Sequence, residues 1–262
     1  MRNIIDFIAK KKKSLTLICT SLLAGILAFG GTTGMLAYQT DKETMDNIVT
    51  VGEVKIGLTE TQWPNADVPG NPPVENILGN QEISKNPVVQ NTGINDAVVF
   101  LKVTVPVVNA TAVNADKSKD TTKKQEVIYF KLNGDDASTH QNHFNSNWIE
   151  LPTKETGTDL TGTTRTYVFG YNKRIQGGDK TDGSTTGPTS TDALFDKIQL
   201  KSLVEGSIPS KTQENIKLEA YAIQADNIID GDAVMDTSGT LTLEKLNKIY
   251  SIYVNQDTTR GE

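Results

Sequence analysis

One alternating stretch constrains the fold of this chain more than any other feature. In "NDAVVFLKVTVPV", apolar residues occupy every second position from Val99 to Val107, and Lys102 and Thr104 lie between them. Successive side chains of a β-strand point to opposite faces of a sheet, so the pattern predicts a strand with one buried face. Because proline has no N–H to donate, Pro106 predicts that the far end of the strand lies at a sheet edge or leaves the ladder.

Shorter strand-like segments lie on both sides of this strand, separated by turns rich in Gly, Pro and Asn. They are found in "NIVTVGEVKIGL", "VIYFKL", "NWIEL", "RTYVFGYNK" and "NIKLEAYAIQAD". Near the end of the chain, "LTLEKLNKIYSIYVNQ" changes to helical spacing, with Leu243, Leu246, Tyr250 and Tyr253 on one stripe. We therefore expect a mainly β protein, a single β-sandwich or jelly-roll-like domain with a short C-terminal helix that packs on the sheet or is presented to a partner.

The N-terminus has the pattern of a secretory signal peptide. Lys10 to Lys13 precede the apolar run "SLTLICTSLLAGILAFGG", which is shorter than the ~20 residues of a membrane-spanning helix. Ala37 supplies a small residue for cleavage before Tyr38. The pattern predicts a signal peptide over residues 1–37, which is removed, and a secreted domain over residues 38–262. An uncleaved membrane anchor is the alternative, and it would be the protein's only contact with a membrane.

Charge and cysteine content exclude several classes of function. The chain has 26 basic and 32 acidic residues, and residues 38–262 alone have a net charge of −10. Such an acidic domain lacks the basic surface that nucleic-acid binding requires. The one cysteine, Cys19, lies in the apolar N-terminal run, so the secreted domain can form neither disulfides nor cysteine-ligated zinc sites.

Several segments, taken in order, resemble the TasA/camelysin family of Gram-positive bacteria. They are "GMLAYQTDKET", "VTVGEVKIGL", "ISKNPVVQNTGINDAVVFLKVTV", "ALFDKIQL" and "IKLEAYAIQAD", within residues 30–107 and 193–225. The resemblance implies a jelly-roll-like body that is exported to the cell surface or the biofilm matrix after cleavage by a SipW-type signal peptidase. It also implies polymerisation into extracellular fibres with other copies or related matrix subunits, by exchange of a freed N-terminal strand.

Under this donor-strand hypothesis, residues 38–51 are the candidate donor. Few of their side chains could fill apolar pockets; these are Tyr38, Met45, Ile48, Val49 and Val51. An open sheet edge is a template for a further strand, so the mechanism is physically sound. The alternative is that the same residues form the ordinary first strand of a monomer.

The sequence offers no catalytic residues and no defined cofactor site. Two histidines, His140 and His143, lie at a spacing of three, and no Glu lies between them as it would in a helical H-E-x-x-H zinc motif. Asp135 and Asp136 could complete a Zn²⁺ site, and "GGDKTDGST" offers carboxylates for Ca²⁺, but a solvated loop is the preferred interpretation of both. We therefore expect neither a cofactor nor enzymatic activity.

The function expected from the sequence is structural, in the extracellular matrix or at the cell surface. Two alternatives of other classes stay open. One is a secreted metalloendopeptidase of the camelysin type. The other is a monomeric surface adhesin or fibre-assembly helper, whose binding surface would be two flexible loops predicted near residues 108–126 and 176–192.

Overall fold

Antiparallel strands make up most of the structure. The computed structural model describes residues 53–64, 77–114, 116–136, 138, 140–153, 163–179, 187–207 and 216–258. All of them belong to one compact unit, Thr50–Glu262. The mainly β class, the single β-rich domain and the C-terminal helix that the sequence predicts are confirmed.

The strands of the described residues are numbered in chain order, and all pair antiparallel. They are β1 (Ile56–Thr59), β2 (Glu82–Ser84), β3 (Val88–Asn91), β4 (Ala97–Ala110), β5 (Lys123–Glu126), β6 (Ile128–Lys131), β7 (Trp148–Glu150), β8 (Thr164–Tyr171), β9 (Lys197–Leu200), β10 (Lys217–Gln224), β11 (Ile229–Asp230) and β12 (Ala233–Val234). The helix is α1 (Leu243–Thr258).

Two larger sheets form a sandwich-like arrangement. The larger has the strand order β10-β4-β8-β7, with β5 paired to the far end of β4, and the other has the order β2-β9-β6. Strands β1 and β3 form a separate pair, and β11 and β12 form a hairpin. The 14-residue β4 lies between β10 and β8 in the larger sheet.

The predicted buried face of β4 forms the main core. Val99, Leu101, Val103 and Val105 have no exposed surface and belong to one cluster of buried residues. Residues of the second sheet contribute to the same cluster, among them Phe130 on β6. Burial of this apolar face is the main force that holds the two sheets together.

The opposite face of β4 is buried as well in its first half, which the alternation did not predict. Val98 and Phe100 pack in a second core with α1, and the Phe100 and Tyr250 rings meet edge to face at 5.0 Å. Only Lys102 and Thr104 keep the partly exposed character that the sequence indicates. The larger sheet thus lies between the second sheet and α1.

Helix α1 packs on the sheet, one of the two placements expected from its sequence. The Lys245 amide donates to the Thr242 hydroxyl at 3.3 Å, which caps the N-terminus. Leu246 and Tyr250 are buried as the helical stripe predicts, whereas Leu243 is 41% exposed. Ile249, which the stripe did not include, is fully buried. Within the described part of the chain, no helix has the length and hydropathy of a membrane span.

Strand β4 continues past Pro106 to Ala110, so the proline does not end it. Pairing with β10 stops at Thr104, and pairing with β5 starts at Val107. The Val107 amide donates to the Thr163 carbonyl on the β8 side. Because N–H directions alternate along a strand, the N–H that Pro106 lacks would point to the other side, into the gap between the β10 and β5 ladders.

The connection predicted as a flexible loop near residues 108–126 is more ordered than expected. Its first residues belong to β4 and its last four form β5. Between them, bridges join Ala112 to Leu203 and Val113 to Lys119. A loop throughout this range was therefore a wrong prediction, because backbone pairing organises a segment whose side chains are mostly polar. In the second predicted loop, residues 180–186 lie outside the described residues, and Ser190 bridges to Gln90.

Candidate strand-acceptor edge

The predicted cleavage and donor residues are not among those that the structure describes. Ala37, Tyr38, Met45, Ile48, Val49 and Val51 all precede Glu53, the first described residue. The cleavage at Ala37–Tyr38 and the donor role of residues 38–51 therefore remain predictions. The described residues belong to the domain from which a donor strand would extend, and they include sheet edges to which a donor strand could add.

The two histidines make separate contacts. His140 stacks on the Tyr129 ring, with centroids 5.7 Å apart. The Nδ1 atom of His143 lies 2.9 Å from Oδ1 of Asp135, and its Nε2 atom lies 2.6 Å from Nε2 of Gln141. Burial acts to raise the pKa of Asp135, but the hydrogen bonds from His143 and the Leu132 amide outweigh it and lower this pKa. Among the described residues, no group of three His, Cys, Asp or Glu side chains is placed to hold a metal ion.

The most distinctive feature of the larger sheet is its β10 edge. All eight residues of β10 are in register with β4 on one side, and within the described residues no strand pairs with the other side. The Ala225 amide donates to the Asp96 carbonyl. This bond shows which residues of β10 direct their N–H groups towards β4. The N–H and C=O groups of every second residue therefore point away from β4, at Leu218, Ala220, Ala222 and Gln224.

The side chains of β10 leave two different surfaces beside this edge. Leu218, Ala220 and Ala222 are half-buried against the main core, near β1. On the other face, Tyr221 is half-buried under α1, and its ring lies 5.4 Å from that of Tyr253. The alanines are the small residues of the strand, so the main-core side of the edge has the least side-chain volume.

Charges lie at one end of the same edge. Lys217 donates to Glu219 at 2.8 Å, and Lys102 lies 4.0 Å from the same carboxylate. The hydrogen bond from Lys217 and the charges of both lysines lower the pKa of Glu219, against a smaller opposing effect of burial. The rest of β10, from Ala220 to Gln224, carries no ionisable side chain except the phenol of Tyr221. Charged side chains, which disfavour pairing with a further strand, therefore lie only on the first part of β10.

The chain enters the described domain through a backbone clamp at residues 53–55. The Glu53 carbonyl accepts hydrogen bonds from the amides of Ile94 and Asn95, at 3.0 and 3.1 Å. The Lys55 carbonyl accepts from the amides of Thr92 and Gly93, at 2.7 and 3.1 Å. These main-chain bonds fix the positions of Glu53 and Lys55 against residues 92–95.

Close backbone contact in the clamp requires glycine at position 93. A Cβ there would lie 2.4 Å from the Glu53 oxygen and 2.6 Å from the Lys55 nitrogen. Asn91, which is fully buried, accepts from the Gly93 amide at 3.0 Å and donates to the Asn95 carbonyl at 2.7 Å. The "NTG" turn of the sequence, residues 91–93, therefore forms the side of the clamp that contacts residues 53–55.

The clamp lies at the C-terminal end of β10. The Asn95 side chain donates to the Gln224 side chain at 3.0 Å, and the Ala225 amide donates to the Asp96 carbonyl at 2.8 Å. Glu53, the first described residue, is therefore held near Gln224, at one end of the β10 edge. Neither the clamp nor its position relative to β10 could be derived from the sequence, because the contacts join segments more than 35 residues apart.

A buried polar cluster lies near the start of β8, where Arg165 and Tyr167 contact Glu126. Sequence reasoning did not predict it. The Tyr167 hydroxyl lies 2.8 and 3.0 Å from the two carboxylate oxygens of Glu126, and Arg165 donates to the same carboxylate at 3.0 Å. Burial raises the pKa of Tyr167, and the Glu126 charge raises it further. Burial likewise raises the pKa of Glu150. Since Glu126 is only 7% exposed and already engaged, the cluster is suited to holding β5 against β8.

No family model, no curated protein and no solved structure matches this chain.

Proposed function

We propose that this protein is a secreted structural subunit of the cell surface or extracellular matrix, of the TasA/camelysin type. Copies assemble head to tail when the N-terminal segment of one subunit, residues 38–51, adds to the β10 edge of the next. The observation that carries this proposal is the edge itself, which is eight residues long, in complete register on one side and without a partner strand among the described residues on the other.

The chemistry of the edge suits strand addition. Unpaired N–H and C=O groups at a sheet edge form a template for another chain, and main-chain hydrogen bonds supply affinity with little demand on sequence. Side-chain pockets then select the partner. Ala220 and Ala222 are the small side chains on the main-core side, and in the donor Val49 and Val51 lie on either side of Thr50, so both would point to one face of an inserted strand.

The clamp favours exchange between copies over self-pairing. Glu53 lies at the Gln224 end of β10, so a preceding segment that folded back along its own β10 would run parallel to that strand. Parallel pairs are slightly less stable per residue than antiparallel ones. The same segment from a second copy has no such restriction and can pair antiparallel. A contact of this kind joins two different surfaces, so it propagates along a filament.

Electron microscopy of the processed protein, residues 38–262 with a free Tyr38, tests the proposal. We expect filaments from this form and none from the same protein with an N-terminal extension. The decisive variant is Ala222→Pro, because it removes an N–H that points to the open edge and leaves the β4 ladder intact.

The matched control is Glu150→Pro on the opposite edge of the same sheet. The Leu151 amide donates to the Val168 carbonyl, so the alternation points the Glu150 N–H away from β8. We expect Ala222→Pro to abolish filaments and Glu150→Pro to retain them, with both variants folded by circular dichroism. Equal loss in both variants, or filaments from Ala222→Pro, would contradict the assignment of β10 as acceptor.

A monomeric surface adhesin is the second candidate, and the β11–β12 hairpin favours it. Ile229 and Val234 lie directly opposite each other and are 59% and 64% exposed. Exposed apolar side chains that lie side by side form the kind of surface patch that binds another protein. If the processed protein stays monomeric at every concentration tested, this reading takes first place.

A further inference from the structure

The turn after β6 contains the one Asn-Gly pair of the chain, Asn133–Gly134. Both residues are exposed. The Asp135 amide donates to the Leu132 carbonyl at 3.2 Å, and the Leu132 amide donates to the Asp135 carboxylate at 2.7 Å. Gly134 has φ +92° at the third position of this turn, a conformation that favours glycine.

We propose that Asn133 is a site of spontaneous covalent modification, by deamidation through a cyclic imide. The Gly134 amide nitrogen loses its proton to solvent base and attacks Cγ of Asn133. A new C–N bond closes a five-membered succinimide, the bond from Cγ to the side-chain nitrogen breaks, and ammonia leaves. Water then adds to either imide carbonyl and gives aspartate or isoaspartate at position 133. No oxidant, reductant or enzyme is needed.

Local structure sets this asparagine apart from others in the domain. Glycine places no side chain beside the attacking nitrogen, and nothing lies within 4 Å of where a Gly134 Cβ would be. By contrast, Asn91 is fully buried with its side chain engaged by Gly93 and Asn95. Asn227 is exposed but precedes the buried, β-branched Ile228, which hinders ring closure. Exposed turns of this kind also open most readily, which gives the ring room to form.

The modification would act on the end of the second sheet. The main-chain N–H of Asn133 donates to the carboxylate of Asp196 at 2.7 Å. Asp196 directly precedes the first residue of β9. A new carboxylate at position 133 would join Asp135 and Asp196 in an acidic cluster. Isoaspartate also inserts a methylene into the main chain, which shifts the turn relative to Lys131, a fully buried residue whose ammonium donates to the Asp136 carbonyl at 3.0 Å.

The test is incubation of the full chain at mildly alkaline pH, followed by peptide mapping with mass spectrometry that distinguishes aspartate from isoaspartate. We expect position 133 to convert first, with release of ammonia, while Asn227 remains unchanged. The Asn133→Gln variant, whose longer side chain closes a ring far more slowly, should abolish the early ammonia release. An unmodified Asn133 after other asparagines have reacted, or ammonia release that Asn133→Gln leaves unchanged, would overturn the proposal.

A second variant separates the added charge from the altered backbone. Asn133→Asp introduces the carboxylate without the extra methylene. We expect aged wild-type protein, enriched in isoaspartate, to melt at a lower temperature than Asn133→Asp, because only isoaspartate displaces the turn. Equal melting temperatures would assign the effect to charge alone and would contradict the proposed shift of the turn.

Discussion

The two edges of the larger sheet differ in almost every property that governs strand pairing. Strand β7 is three residues long, and its Trp148 side chain donates to the Asp192 carbonyl at 3.0 Å, so a neighbouring loop covers it. Strand β10 is eight residues long, carries charge only at its start, and has no partner strand among the described residues on its outer side. Natural sheets protect their edges with short strands, charges and covering loops.

The comparison shows that features which disfavour further strand pairing are present at one edge of this sheet and not along the whole of the other, within the described residues. Among the described residues, the part of β10 between Ala220 and Gln224 has no charged side chain and no strand paired to its outer side. In the part of the chain that the structure describes, β10 therefore has an unpaired outer side, and this is the edge on which the strand addition proposed above depends. Substitutions at the β7 edge and in the clamp can break or sharpen this contrast.

Removing the covering aromatic should have the largest effect. Trp148 is 4% exposed, and its ring lies 5.1 Å from that of Tyr171. We expect Trp148→Ala to lower the free energy of unfolding by about 3–5 kcal/mol, the usual cost of truncating a buried large aromatic residue. Chemical denaturation measures this change. A loss below about 1 kcal/mol would mean that the loop does not hold the β7 edge, and the contrast with β10 would disappear.

The clamp gives a smaller, position-specific prediction. Because a Cβ at Gly93 would overlap the Glu53 and Lys55 backbone, we expect Gly93→Ala to cost about 1–3 kcal/mol and to loosen residues 53–55. Hydrogen exchange at Ile94 and Asn95 should rise at the same time. Gly57→Ala is the control, since nothing lies within 4 Å of its Cβ position. Equal effects of both substitutions would remove the steric explanation.

The smallest effect expected is a dependence on alkaline pH at the covered edge. Burial, and then the hydrogen bond to Asp192, raises the pKa of Tyr171 from 10.0 to about 12. The folded protein therefore holds this proton more tightly than the unfolded chain, and the resulting stability is complete below pH 10.0 and lost as pH rises towards about 12.

Denaturation at several alkaline pH values measures this loss. Tyr171→Phe should show a shallower fall in stability over the same interval, because the substituted side chain has no proton to lose. Since Tyr167 also has a raised pKa, part of the alkaline loss should persist in the variant. A profile identical to that of the wild type would show that Tyr171 does not contribute.

Local patterns in the sequence predicted the elements better than their surroundings. The alternation from Val99 to Val107 and the helical stripe at Leu246 and Tyr250 were both confirmed. The burial of Phe100 was not predicted, because the residue that covers it, Tyr250, lies 150 positions later in the chain. Similarly, His140 and His143 are neighbours in sequence, yet they contact Tyr129 and Asp135 separately.

By itself, the sequence determined the mainly β class, the strand that contains Val99 to Val107 and the C-terminal helix, since each follows from side-chain periodicity along a continuous segment. Tertiary structure alone decided which edge of the sheet has no partner strand among the described residues, that Gly93 clamps residues 53–55 beside Gln224, and that Glu126 is engaged by Arg165 and Tyr167. These features depend on contacts between distant segments, and their geometry is fixed only when the two cores pack.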